Sequence, residues 1–138
     1  MFAVKTTVPT LFDDFNVFNG LFDSRIARSG ELRPSADVCE TSDNFIVSAE
    51  LPGVDEKDID IEFADNVLTI RAERKIQEKE GQTYHRREIA GGTFSRGMKF
   101  STPVDSAKIS ASYKNGILEI TLPKEESLKP RKIDVSVA

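Results

Sequence analysis

Residues 109–123 read ISASYKNGILEITLP. Ile109, Ala111 and Tyr113 alternate with polar residues, Asn115-Gly116 intervenes, and Leu118, Ile120 and Leu122 then alternate with Glu119 and Thr121. Alternation at period two sends the apolar side chains to one face of an extended strand. Asn-Gly readily accepts the two positive φ angles of a tight hairpin turn. Pro123 has no N–H to donate to a ladder, so it marks the end of the second strand. The stretch therefore predicts two antiparallel strands that share one apolar face.

The same pattern extends outward. Phe45, Val47, Ala49 and Leu51 alternate with polar residues apart from Ile46, and Pro52-Gly53 ends that run. Ile59, Ile61 and Phe63 alternate with Asp60 and Glu62, and the polar break Ala64-Asp65-Asn66 leads into Leu68, Ile70 and Ala72. Phe94, Met98 and Phe100 follow later. Short alternating strands separated by turns predict an all-β fold, an immunoglobulin-like antiparallel β-sandwich spanning residues 34–123. Residues 74–82 are too charged for a core strand and are expected as a long exposed loop, with a further strand over residues 84–88 reached through it.

Two flanks differ in composition. Residues 1–33 hold Phe2, Phe12, Phe15, Phe18 and Phe22, five of the nine phenylalanines. Leu11, Phe15, Phe18 and Phe22 would share one helical face, but Asn19 and Gly20 weaken that helix. The expectation is an apolar, partly helical or disordered arm suited to sticking to other proteins, with a lid over the core as the alternative. Residues 124–138 open on Lys124-Glu125-Glu126-Ser127 and contain Pro130, which predicts an extended tail. That tail closes on Ile133-Asp134-Val135-Ser136-Val137. Extended, it shows three β-branched side chains on one side, a form suited to docking on a sheet edge or groove of another copy. The alternative is a last strand of its own sandwich.

Composition narrows the chemistry. The chain has 138 residues, 38% hydrophobic and 30% charged, with a net charge of −4. One domain with flexible ends fits that length. Nucleic acid is a poor partner, because phosphate binding needs a concentrated basic face and Lys and Arg are here scattered among carboxylates. Cys39 is the single cysteine, so no intrachain disulfide and no cysteine-rich zinc site can form. It is expected as a small buried apolar residue. No stretch is long and apolar enough to span a bilayer, and residues 1–33 carry neither a signal-peptide core nor the acid-poor character of a transit peptide. The expected location is a reducing cytoplasm, with membrane association left open.

A search for catalytic groups returns little. His85 is the single histidine and has Arg86 and Arg87 beside it, so it is expected as a surface residue. Residues 92–97 have the spacing of a phosphate loop, but Met98 stands where the phosphate-binding lysine belongs. The acidic run from Asp55 to Asp60 lacks the glycine and terminal glutamate of a calcium loop. The expectation is no catalytic residue, no cofactor and no metal.

The segment 111–118, Ala-Ser-Tyr-Lys-Asn-Gly-Ile-Leu, resembles the signature of the small heat shock proteins, whose core is the alpha-crystallin domain. Glu50-Leu51-Pro52-Gly53-Val54, Leu68-Thr69-Ile70 with Glu73-Arg74, and Gly92-Thr93-Phe94-Ser95-Arg96 fit the family in order. Ile133-Asp134-Val135 resembles its C-terminal isoleucine-x-isoleucine/valine motif. The resemblance covers roughly residues 34–137. One departure is Phe100-Ser101, where the family usually has Leu-Pro.

The resemblance implies a chaperone that holds unfolding client proteins without ATP and works as a dynamic oligomer of dimers. It implies that residues 84–88 cross to a second subunit, with Tyr84, Arg86, Glu88 and Arg96 as dimer contacts. Arg96 would pair with a carboxylate there. It further implies that Ile133 and Val135 enter an apolar groove on a neighbour, with Leu68, Ile70, Leu118 and Ile120 as groove candidates if they are not ordinary core. Burying two aliphatic side chains gives roughly 3–6 kcal/mol gross, and ordering a flexible tail costs a few of these. One tail alone should bind at about millimolar or looser, so many tails together hold the oligomer by avidity while single links keep opening. The rival readings are a monomeric adaptor with the same sandwich and a hydrolase built on His85.

Overall fold

The computed structural model describes residues 31–128 and 131–137. The expected arm, with Phe2, Phe12, Phe15, Phe18 and Phe22, lies outside the described residues. Among the described residues seven strands follow in chain order: β1 (Ala36–Glu40), β2 (Asn44–Glu50), β3 (Ile59–Ala64), β4 (Val67–Arg74), β5 (Gly92–Lys99), β6 (Ser110–Lys114) and β7 (Ile117–Pro123). They form two antiparallel sheets, one of four strands in the order β1-β2-β7-β6 and one of three in the order β3-β4-β5. The all-β sandwich expected from the alternation is the fold found.

Register follows the turns. Asn115 and Gly116 take φ of 53° and 78°, joining β6 to β7 with Lys114 opposite Ile117. Asp65 and Asn66 take φ of 52° and 61°, giving a second two-residue hairpin between β3 and β4. Asp and Asn tolerate this left-handed backbone because their short polar side chains bond locally, so no glycine is needed. A one-residue slip at either turn would send each strand's apolar set to the wrong face.

The core lies between the sheets. Phe45, Val47, Ala49 and Leu51 from β2 and its end, Leu68, Ile70 and Ala72 from β4, Phe94 and Met98 from β5, and Leu118, Ile120 and Leu122 from β7 are buried together. Phe100 is also buried and packs its ring 5.0 Å from that of Phe45. Its backbone N–H donates to the Asn66 carbonyl at 2.8 Å, which holds the chain as it leaves β5.

The two long sides of the sandwich differ. On one side the chain enters beside β5. Leu32 donates to the Thr93 carbonyl and accepts from the Ser95 N–H, and Arg96 Nη1 donates to the Pro34 carbonyl at 2.8 Å. The chain then turns into β1 of the other sheet, closing that side. Leu32 therefore already belongs to the sandwich, slightly ahead of the expected boundary at 33/34. On the other side, the Leu51–Val54 corner leaves β2, passes the β6–β7 turn with Leu51 N–H bonded to the Gly116 carbonyl at 2.8 Å, and drops into β3. This path sets β3 across from β6. No strand covers those two edges among the described residues.

Two expectations are corrected. Cys39 is exposed rather than buried. It stands on β1, an edge strand whose inward position at Val38 already faces the core. Residues 84–88 form no strand within the chain, because they lie out in the loop between β4 and β5 with no ladder beside them.

Candidate functional site

Three surfaces carry the residues singled out in the sequence: the open side between β3 and β6, the long loop, and the tail. On the open side, Ile59, Ile61 and Phe63 of β3 face inward but are only half-buried, since an edge strand has a neighbour on one side alone. Ile109 and Tyr113, at the β6 edge of the other sheet, are also half-buried against the core. The Tyr113 hydroxyl donates to the carbonyls of Leu51 at 2.7 Å and Val54 at 2.9 Å. Its polar tip is thus satisfied while its ring stays available as an apolar wall.

The groove candidates Leu68, Ile70, Leu118 and Ile120 are not on this surface. Their exposures are 0–2%. They occupy β4 and β7, central strands flanked on both sides, and point straight across the inter-sheet gap. Nothing can dock on them without opening the sandwich, so they are core. The apolar side chains left accessible are those of the edge strands. Sequence reading could not separate the two sets, because both show the same alternation and only strand order distinguishes edge from centre.

The loop of residues 75–91 is anchored at its base. Arg74 Nε donates to the Ala90 carbonyl at 2.8 Å, Nη2 donates to the same carbonyl, and Nη1 donates to the Pro52 carbonyl at 3.0 Å. Its guanidinium also lies 4.8 Å over the Phe94 ring. Opposite it, Ile76 packs so closely on Gly91 that a Cβ there would stand 2.6 Å from Ile76 Cγ1. The two ends of the loop are therefore held together, and the segment between them projects.

Within the projecting part, Tyr84 is 49% exposed and Ile89 75% exposed. Arg87 donates to Glu78 at 2.8 Å and lies 4.7 Å over the Tyr84 ring. The hydrogen bond to Glu78 raises the Arg87 pKa above its ordinary value. Arg86 and Glu88 form only an exposed pair at 3.7 Å, which contributes little. The dimer candidates Tyr84, Arg86 and Glu88 thus lie together on one exposed loop. Arg96 lies apart from them, at the β1/β5 side. Its Nε is buried without a hydrogen-bond partner among the described residues, and burial followed by the charge of Arg33 lowers its pKa. Within the chain it holds the Pro34 carbonyl rather than a carboxylate.

The tail is the third surface. Residues 131–137 have no secondary structure, and Ile133, Val135 and Val137 are 83%, 89% and 97% exposed. In this chain they add no strand to their own sandwich. Arg74, Ile89 and the edge-strand set were missed in the sequence. A single arginine at a strand end carries no periodic signal, and Ile89 has no alternating neighbours.

Among the described residues no group of three or more His, Cys, Asp or Glu could hold a metal ion. His85 lies exposed on the loop. No helix among the described residues is long and apolar enough to cross a membrane.

Comparisons with known proteins agree with this geometry. The family model described as the Hsp20/alpha crystallin family matches residues 37–137. Small heat shock protein C2 of Rickettsia felis is 38% identical over 134 residues, covering 95% of this chain and 86% of that protein. Heat shock protein 16 of Schizosaccharomyces pombe is 37% identical over 136 residues, covering 95% of this chain and 92% of that one. Among solved structures, heat shock protein 16.0 from Schizosaccharomyces pombe superposes with a TM-score of 0.67 at 34% identity, over 78% of this chain and 100% of that one. A small heat-shock protein from Xylella fastidiosa, described as having a distinct high order structure, gives 0.61 at 35% identity over 75% of this chain and 96% of that one. With the sandwich, the ordered motifs and the free tail all in place, the chain belongs to the Hsp20/alpha-crystallin family, the small heat shock proteins, which are chaperones and not enzymes.

Proposed function

We propose that this chain is an ATP-independent holdase of the cytoplasm that captures partly unfolded proteins through apolar surface and works as a dynamic oligomer of dimers. The observation that carries this reading is the pairing of two incomplete surfaces. Ile133, Val135 and Val137 stand almost fully exposed on the tail, while Ile59, Ile61, Phe63, Ile109 and Tyr113 line an uncovered side of the sandwich. Exposed β-branched side chains and an open sheet edge are both liabilities in a lone monomer. Each supplies what the other lacks, so the tail of one copy occupies the open side of another.

Dimers form through the loop. Its anchored base carries residues 84–88 outward, extended and without a ladder of their own, and the outer edge of β1 in a second copy accepts them. The apolar contact of client binding is non-directional, which suits substrates that share only exposed hydrophobic surface. Clients meet the open side when a tail leaves it, together with the Phe-rich arm of residues 1–33.

The test is light scattering of a heat-labile client with and without the chain and with and without ATP. Protection at stoichiometric ratio without nucleotide is the expected result. A requirement for nucleotide, or no protection at that ratio, overturns the holdase reading. The adaptor alternative predicts a monomer in solution, which size-exclusion with light scattering distinguishes directly.

A further inference from the structure

The tail is free from residue 131 onward, but its first residue is the most firmly held cation of the described tail. Lys124 Nζ lies 2.6 Å from Glu40 Oε1, donates to the Thr41 carbonyl at 2.8 Å, and sits 5.0 Å over the Phe45 ring. The Lys124 and Glu40 side chains are only 14% and 27% exposed. The backbone is gripped from both sides as well. Lys124 N–H donates to the Asp43 carbonyl at 2.9 Å, Glu125 N–H donates to the Pro103 carbonyl at 3.1 Å, and Val104 bridges Lys124. A lysine half-buried among a carboxylate, a carbonyl and an aromatic face is fixed in direction. By contrast, the exposed pair of Lys108 with Glu126 at 3.8 Å lies one step outward and holds little.

The partner of this lysine matters. Glu40 is the last residue of β1, the edge strand that the proposed dimer uses. Ile133 lies nine residues beyond Lys124, a reach of up to about 30 Å when extended. The docking residues can therefore reach only sites within that distance of the point where Lys124 is held, beside the end of β1. Without the grip, the same tail could reach the open sides of several neighbours in different orientations.

We propose that Lys124 is the positioning residue of the tail: through Glu40, Thr41 and Phe45 it ties the tail's exit to the end of β1 and so selects which neighbouring copy the tail can reach. This rests on the reading of the tail as a connector between copies. Lys124 touches neither client nor groove. Its role is to restrict assembly to a narrow set of sizes.

The test uses the full chain and native mass spectrometry to read the distribution of subunit numbers. Lys124→Met keeps the length of the side chain and removes the charge and both donations. The expected result is a wider distribution of subunit numbers than in the unaltered chain. Lys124→Arg, which retains a donor to Glu40 and a cation over Phe45, narrows it again. Glu40→Gln serves if Lys124→Met does not fold, and it widens the distribution in the same sense. A fold-only role predicts a lower melting temperature with an unchanged distribution, and that outcome overturns the proposal. The Ile133→Ala/Val135→Ala variant runs alongside. If that variant loses its large species while Lys124→Met and Glu40→Gln keep the normal distribution, only the positioning role falls. If it keeps its large species, the connector reading itself is wrong and the proposal falls with it.

Discussion

The Tyr113 hydroxyl lies 2.7 Å from the Leu51 carbonyl, joining β6 to the corner that carries the chain from one sheet to the other. The Val54 carbonyl shares the same donor at 2.9 Å, and Leu51 N–H is in turn bonded to the Gly116 carbonyl. One side chain thus braces the end of the sandwich and forms a wall of its open side. The brace explains how an edge strand without an outer partner stays in place.

Tyr113→Phe removes the brace and leaves the wall. The Leu51 carbonyl is left with only the Val54 N–H at 3.3 Å and the Val54 carbonyl loses the hydroxyl, so the domain should lose about 1–2 kcal/mol of stability. Denaturant unfolding of the sandwich measures this. The ring remains in the open side, so tail-dependent assembly at moderate temperature should be little changed.

Gly116→Ala is expected to cost about 1–3 kcal/mol for two separate reasons. Gly116 has φ of 78°, and a Cβ there would stand 3.1 Å from Pro52 Cα, a backbone atom that cannot move aside cheaply. Asn115→Gly, at φ 53°, keeps the turn and should change stability far less. Thermal melts of the two variants side by side make the comparison.

Arg74→Met should free the base of the loop. The Ala90 and Pro52 carbonyls lose their guanidinium donors and the Phe94 ring loses its cation. The sandwich should lose about 1–2 kcal/mol, and residues 75–91 should be cut faster in limited proteolysis. Because the projecting segment is then less well aimed, dimers should separate at higher protein concentration than in the unaltered chain, as dilution with mass measurement will show.

Ile133→Ala with Val135→Ala should weaken each tail link by about 2–4 kcal/mol. Both side chains are exposed in the lone chain, so domain melting should stay the same. Large species should fall to dimers, read by light scattering. Unchanged large particles would mean that other contacts build the assembly.

Removing residues 1–30 should leave a folded sandwich, since Leu32, which bonds to β5 on both its N–H and its carbonyl, is kept. Client protection should drop with the loss of Phe2, Phe12, Phe15, Phe18 and Phe22. Circular dichroism and the aggregation assay together decide the point. An unfolded product would make the arm part of the core.

Most of the sandwich was legible in the chain because its signals are local. Leu118, Ile120 and Leu122 alternate and are buried, and Asn115-Gly116 turns where such a pair should turn. Asp65-Asn66 shows in the chain only as a polar break, since two residues that merely tolerate a left-handed backbone signal a hairpin more weakly than a glycine does. The exposure of Cys39 is not legible in the chain, because nothing local marks β1 as an outer strand.

Sequence alone determined β2 to β7 and the tail with its exposed motif, though not β1 or the strandless course of residues 84–88, because period two and turn chemistry act over a few residues. Tertiary structure alone decided which apolar residues are core and which remain accessible. Leu68, Ile70, Leu118 and Ile120 fall on central strands, and Ile59, Ile61, Phe63 and Tyr113 on edges. It also decided that Arg74 anchors the loop and that Lys124 meets Glu40, contacts made across 16 to 84 positions of chain. The physical reason is the order of strands in a sheet. Alternation says which way a side chain points, but only the neighbours that folding places on either side of its strand decide whether water can still reach it.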